Sequence, residues 1–254
     1  MDLSMFSLEG KVALVTGAST GLGMAMSIAL ANAGANICGV ASKGEFNNIS
    51  KAVKKTGQRF HGSKADLLKM ESISKIVKET CEHFGRIDIL VNNAGIERKN
   101  IFLKFSEKDW DDVINLNVKI PFFLTQEVVK VFEEQKNGGK IINICSLLSF
   151  QGGLYSHSYT ASKSALLGIT RSIANELASN NINVNAIAPG YIKTRLNDVL
   201  RDDPKLYKEF LARIPAGHFG DPQDLNGLVV FLASSASNYC NGSIYPVDGS
   251  WLAR

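Results

Sequence analysis

Tyr159 and Lys163 stand four positions apart near the start of a stretch, 158–177, whose apolar residues recur at helical intervals. On a helix they share one face, one turn apart, so the ammonium can lie near the phenol oxygen. A tyrosine ionises near pH 10 and is a poor base at neutrality, and a nearby cation favours its ionised form. Lowering that pKa by roughly two to three units takes about 3–4 kcal/mol of differential interaction. Ser146 ends an apolar run, 140–146, just before this helix. Both hydroxyls can therefore converge on one substrate oxygen, the serine hydrogen-bonding it as charge develops and the tyrosine exchanging its proton. Ser149 is a nearby rival for the serine's role, and serine at a strand end is also a common turn or cap residue. Neither hydroxyl needs a metal, and none is expected.

A second chemical signal lies near the N-terminus, in Thr16-Gly17-Ala18-Ser19-Thr20-Gly21-Leu22-Gly23, ahead of the helix-forming stretch 24–33. Glycines there let the backbone turn tightly and approach a pyrophosphate, whose charge the unpaired N–H groups of the helix N-terminus stabilise. The spacing is G-x-x-x-G-x-G rather than G-x-G-x-x-G, and glycine-rich turns also arise for steric reasons alone. A dinucleotide is the ligand this loop suggests, with Gly17, Ser19, Thr20, Gly21, Leu22 and Gly23 around it. Where an acid would bind the ribose hydroxyls, the second strand ends in Val40-Ala41-Ser42-Lys43. Ser42 is an expected contact, while Lys43 is either a 2′-phosphate contact or a solvated surface residue. With Thr20 in place of a cation, NAD is the expected cofactor and NADP stays open. An oxidised nicotinamide would add its positive charge to that of Lys163 beside the phenol.

These residues need a scaffold that brings the two signals together. Short runs rich in Val and Ile recur at 11–16, 35–41, 59–63, 87–92, 140–146, 182–188 and 243–247, with helical spacing between them. Nearly continuous hydrophobicity in several runs implies burial on both faces, which is the pattern of βαβ units. The expected fold is α/β: a single-domain, Rossmann-type, doubly wound parallel sheet of about seven strands with helices on both faces, spanning 1–254. Ligands of such a sheet bind beyond the carboxyl ends of the strands, where the strand order reverses. The polar segment 190–220, broken by Pro204 and Pro215, exceeds an ordinary αβ connection and reads as a helical lid over the crevice.

Composition narrows the class further. Of 254 residues, 45% are hydrophobic and 20% charged, the balance of an ordered globular protein. The formal charge of +4 is spread along the chain, and the lysines at 51–55 sit on an amphipathic helical pattern, so no nucleic acid partner is expected. Cys38, Cys81, Cys145 and Cys240 never form a C-x-x-C pair and read as reduced thiols. Residues 1–10 contain acids and no long apolar run. The expectation is therefore a cytoplasmic enzyme with a small-molecule substrate and no membrane partner.

At this point a family can be named. Thr16 to Gly23, Asn92-Asn93-Ala94-Gly95, Asn117, Ser146, Tyr159-x-x-x-Lys163 and Pro189-Gly190 resemble the short-chain dehydrogenase/reductase family, in order and over essentially the whole chain. The resemblance implies Tyr159 as acid/base, Lys163 as its electrostatic partner and ribose ligand, Ser146 as oxyanion stabiliser and Asn117 in a proton relay. It also implies cofactor contacts at Asp66, Leu67, Asn93, Ala94, Gly95, Pro189, Gly190, Ile192 and Thr194. A homotetramer is implied too, and Trp251 and Leu252, apolar residues at a chain end, read as subunit contacts.

The stretches 105–112, 149–153, 213–217 and 247–254 are most similar to members that act on sugar acids from pectin or uronate breakdown. Leu154-Tyr155-Ser156-His157 departs from their pattern. The expected substrate contacts are Ser146, Tyr159, Gln151, His157 and, for the carboxylate, Arg98, with Lys193 and Arg195 as further cations near the mouth. His157 can equally be a bystander. Members acting on gluconate or on 3-oxoacyl thioesters share the same chemistry, and a nucleotide-sensing protein that lost catalysis is the alternative from another class.

Overall fold

Each of the seven apolar runs forms a strand of one sheet. In the structure, a computed structural model that describes residues 2–194 and 197–253, they are β1 (Val12–Thr16), β2 (Asn36–Ala41), β3 (Phe60–Lys64), β4 (Ile89–Asn92), β5 (Gly139–Ile144), β6 (Ile182–Pro189) and β7 (Ile244–Val247). Every neighbouring pair is parallel, in the order β3-β2-β1-β4-β5-β6-β7. The chain winds outward from β1 to β3, then returns to the other side of β1 for β4. The order therefore reverses between β1 and β4, and a crevice opens at their carboxyl ends.

Alternate strand residues feed two cores, because successive side chains point to opposite faces of a sheet. On one face Ala13, Val15, Ile89, Val91, Ile142 and Ile144 pack against α1 (Gly21–Asn32), α2 (Asn47–Lys55) and α9 (Asn226–Ala233). On the other, Leu14, Leu90 and Ile141 meet α3 (Glu71–Phe84), α5 (Ile120–Gln135) and the far end of α6 (His157–Leu177). Fully burying each such side chain contributes roughly 1.5–3 kcal/mol, so the central strands hold the crevice rigid. The edge strands β3 and β7 are only partly buried.

Three local features bear on function. Between α4 (Glu107–Ile114) and α5 the helix widens into one π turn, Asn115–Lys119. Beyond β5 the chain turns through a short 3-10 helix, Leu147–Ser149, that Ser146 caps, so Ser146 lies two residues past the strand. The long segment after β6 carries α7 (Asp198–Asp202) and α8 (Pro204–Leu211), the second started by Asp203, whose carboxylate accepts from the N–H groups of Lys205 and Leu206.

The chain end differs from the sequence reading. Trp251 is 4% exposed within its own chain, packed with Leu147, Ile214 and Phe219 and flanked by Tyr191, Phe210 and Leu252. The Arg213 guanidinium lies 4.1 Å from its ring centre. The indole thus ties the segment around α8 to the sheet edge, and its apolar surface is covered without a partner chain. The four cysteines are free thiols, and among the described residues no helix is long and apolar enough to cross a membrane.

Candidate active site

The crevice is assembled from strand ends that a few polar side chains hold together. The Thr16 hydroxyl accepts from the N–H groups of Asn93 and Ala94, each at 3.0 Å. Asn93 in turn donates from Nδ2 to the carbonyls of Thr16 at 2.9 Å and Gly17 at 3.3 Å. The mouth of β1 is thereby fixed to that of β4. Deeper in the sheet, Asn92 donates to Asn143 at 2.9 Å, and Asn143 to Thr170 of α6 at 2.9 Å. A satisfied buried chain of this kind sets the position of α6 against the strands.

Gly17 has φ +66° and Gly21 φ +55°, backbone conformations that side chains disfavour. At Gly17 an added Cβ would lie 2.8 Å from Asn93 Nδ2. Thr20 caps α1 without a side-chain hydrogen bond, so the first-turn N–H groups of this helix face the groove. Gly17, Ser19, Thr20, Gly21, Leu22, Asn93, Ala94, Gly95 and Thr194 line one stretch of it. Ser42, Lys43, Asp66 and Leu67 line the next, beyond Thr20. Gly23 sits one turn inside α1 and is not among the lining residues. The strand-end Asp66 closes a turn, accepting from the Leu68 N–H at 3.1 Å. A groove with backbone donors at its centre and no acid at the end of β2 fits a dinucleotide, with or without a 2′-phosphate.

The groove opens into a cavity of about 240 Å³ that Ser146, Tyr159, Lys163, Pro189, Gly190 and Ile192 line on its cofactor side. Lys163 is 4% exposed. Its Nζ donates to the Ile144 carbonyl at 2.7 Å and lies 5.4 Å from the centre of the Tyr159 ring. Burial lowers its pKa to about 8. The Tyr159 hydroxyl moves the other way: burial raises its pKa, the Glu97 charge adds to that, and hydrogen bonding with Ser146 opposes both. The ammonium sits under the ring on a carbonyl, and desolvation, which disfavours the charged form of each group, is the largest influence on both.

Ser149 is settled by its partners. Its hydroxyl donates to the Lys163 carbonyl at 2.8 Å and receives the Ser146 N–H at 3.4 Å, which spends it on the turn that aims Ser146. Asn117 lies in the π turn, 1% exposed. It clasps Ile96 through both backbone groups at 2.9 Å and donates to Ser162 of α6 at 3.1 Å. One π turn inside a helix is a frequent companion of functional sites, because the extra residue re-aims a side chain.

The expected substrate contacts are distributed differently. Arg98 faces outward, its Nε 3.5 Å from Asp109. The His157 ring packs edge-on against Phe102 and Phe105. Lys193 pairs with Asp221 at 3.0 Å and borders the phosphate stretch, and Arg195 lies outside the described residues. Neither Arg98, Gln151 nor His157 is among the residues lining the Tyr159 cavity. Instead Glu97, Lys99, Leu148, Leu154, Ser156, Tyr191, Asn197, Leu200 and Phe210 line it. Of these, the 154–157 departure from the family pattern was the one visible signal; nothing in the spacing singled out Glu97 or Lys99.

With the crevice, the groove and the Ser-Tyr-Lys constellation in place, the class is defined: the chain belongs to the short chain dehydrogenase family, whose model matches residues 11–205. It is 56% identical over 254 residues, all of both chains, to the 2-dehydro-3-deoxy-D-gluconate 5-dehydrogenase of Escherichia coli (strain K12). It is 55% identical over the same span to the enzyme of that name from Dickeya dadantii (strain 3937). A gluconate 5-dehydrogenase from Burkholderia cenocepacia J2315, solved in complex with NADP and tartrate, superposes with a TM-score of 0.94 at 33% identity, covering 99% of each chain.

Proposed function

We propose that this chain is an NAD(P)-dependent oxidoreductase of a sugar acid, acting at a secondary alcohol or ketone as 2-dehydro-3-deoxy-D-gluconate 5-dehydrogenase does. The observation that carries the reading is the junction of Ser146, Tyr159 and Lys163 with the glycine-lined groove. Full-length identity of 56% to an enzyme of that name supports the substrate class. When bound, the nicotinamide supplies or takes up the hydride and, oxidised, adds a positive charge beside the phenol.

The chain's own residues do the rest. Ser146 hydrogen-bonds the substrate oxygen, and its orientation is held by Ser149 from behind. Tyr159 takes the hydroxyl proton in oxidation and returns one in reduction. Lys163, anchored on Ile144, offsets the phenolate charge, and Asn117 holds the Ile96 backbone beside it. The segment 190–220 acts as a lid, since Asn197, Leu200 and Phe210 reach the cavity from it. Lys43 and Ser42, as cation and hydroxyl for a 2′-phosphate, and Glu45 and Asp66, as acids for ribose hydroxyls, line the same stretch of the groove and support use of either nucleotide. Pectin or uronate breakdown and a homotetramer, which rest on the family resemblance, and a cytoplasmic location, expected from the composition, complete the reading.

A spectrophotometric panel crossing NADH and NADPH with keto sugar acids and 3-oxoacyl thioesters tests it. Turnover of deoxy-keto sugar acids is expected. Turnover of gluconate-derived ketones or acyl thioesters alone would reject the substrate assignment.

A further inference from the structure

Among the described residues lining the Tyr159 cavity, Glu97 is the one acid. Its side chain is 9% exposed. One oxygen accepts from the Ser156 hydroxyl at 2.6 Å; the other lies 3.4 Å from Lys99 Nζ, on a side chain 49% exposed. An ionised carboxylate has about four acceptor sites and no donor, so these two partners leave capacity toward the cavity. It lines the same cavity as Ser146, Tyr159 and Tyr191, and its charge acts on both phenols there.

The Ser156 hydroxyl already has the Leu154 carbonyl at 3.3 Å as a second acceptor, and the Lys99 ammonium reaches solvent. Desolvating a carboxylate is expensive unless donors satisfy it. The donor that a carboxylate at this depth can receive from a substrate is a hydroxyl. A substrate carboxylate would be repelled by it, although Lys99 partly neutralises the charge and lets an anionic substrate enter.

We propose that Glu97 selects substrates with a free hydroxyl on the carbon next to the reacting one, accepting that hydroxyl's hydrogen bond while Ser146 and Tyr159 hold the reacting oxygen. The inference rests on the proton-transfer site described above and deepens the sugar-acid reading by naming how a polyol is told from a plain ketone.

The test compares kcat/KM for two substrate pairs, each with and without the adjacent hydroxyl: a keto sugar acid against its analogue deoxygenated at that carbon, and 2-hydroxycyclohexanone against cyclohexanone. The second pair has no carboxylate, so failure of the sugar-acid reading, seen as no turnover of the first pair, leaves selection by Glu97 still measurable. The intact enzyme is expected to favour the hydroxylated member by about 100-fold, since a site built to bond a hydroxyl strongly rejects the analogue lacking it. In Glu97→Ala that ratio should collapse to within about threefold, with nucleotide affinity unchanged. An unchanged ratio in this variant, or no preference in the intact enzyme, overturns the proposal, because a loop-supporting glutamate would slow both members alike.

Glu97→Gln keeps an acceptor for Ser156 and guards against a folding artefact. It should retain part of the preference while moving the pH profile. The groups facing the Tyr159 phenol are Glu97 after β4, Cys145 and Ser146 after β5, and Lys163 on α6; burial keeps the Cys145 thiol protonated at neutrality. Glu97 is among the groups that raise the Tyr159 pKa, so replacing its carboxyl by an amide favours the phenolate. The rise of the oxidation rate with pH should shift to lower pH by roughly one unit. An unmoved limb together with an unmoved ratio overturns the assignment.

Discussion

Lys163 bears a large electrostatic cost at the residue scale. Folding takes its ammonium out of water for one carbonyl, and the folded pKa falls to about 8 from 10.5. Between those values the unfolded chain holds more protons than the folded one, so this group's contribution to stability rises with pH across the window. Its limit is on the order of 3 kcal/mol. Lys163→Met should therefore lose at least about 100-fold in turnover while gaining about 1–2 kcal/mol of stability at pH 7, roughly 2–6 °C in Tm. Steady-state kinetics checks the first part and calorimetry at about pH 7 and pH 9.5 the second, since the gain should shrink at the higher pH. A lower Tm at pH 7 would count against the burial cost. Tyr159, Lys163 and Ser146 were legible because a four-residue helical spacing and a strand end are local signals. Glu97 was not, because its importance comes from Ser156, 59 positions away, and from a cavity wall that no local pattern encodes.

At the scale of elements, the apolar strands were legible wherever both faces are covered. β1, β4 and β6 are buried at every residue, and their apolar residues stand out even though Asn183 and Asn185 interrupt β6, while β3 shows only one buried residue. The π turn at Asn115–Lys119 left no trace in the sequence, since one extra residue in a helix does not change which residue types are favoured. Asn117 makes it visible in three dimensions by satisfying both backbone groups of Ile96. Asn117→Ala strands an N–H and a C=O in a mostly buried setting and should cost about 2–4 kcal/mol, with a fall in kcat larger than any rise in nucleotide Kd. Denaturant titration and steady-state kinetics measure the two; a variant of native stability would mean that solvent reaches these groups freely.

At the scale of the whole molecule, the chain end shows the limit of reading burial from sequence. An apolar residue near a terminus must be covered, yet the covering surface for Trp251 is its own chain: Tyr191, Phe210 and Arg213 close over the indole. The tetramer proposed above accordingly draws no support from Trp251. Trp110 and Phe122, on α4 and α5, are among the large apolar side chains that remain exposed, as are Phe102, Leu103, Leu154 and Tyr239, and such surface is available for assembly. Sedimentation velocity is expected to give a tetramer, and a monomer at micromolar concentration would remove that part of the reading. In the proposed reaction the Tyr159 oxygen, at the junction of groove and cavity, carries the proton. Tyr159→Phe measures this role, with nucleotide affinity by fluorescence titration and turnover by absorbance of the reduced cofactor. Affinity should stay within about twofold while turnover falls about 10²-fold or more, on the order expected for removing a general acid–base; turnover close to that of the intact enzyme would overturn the role.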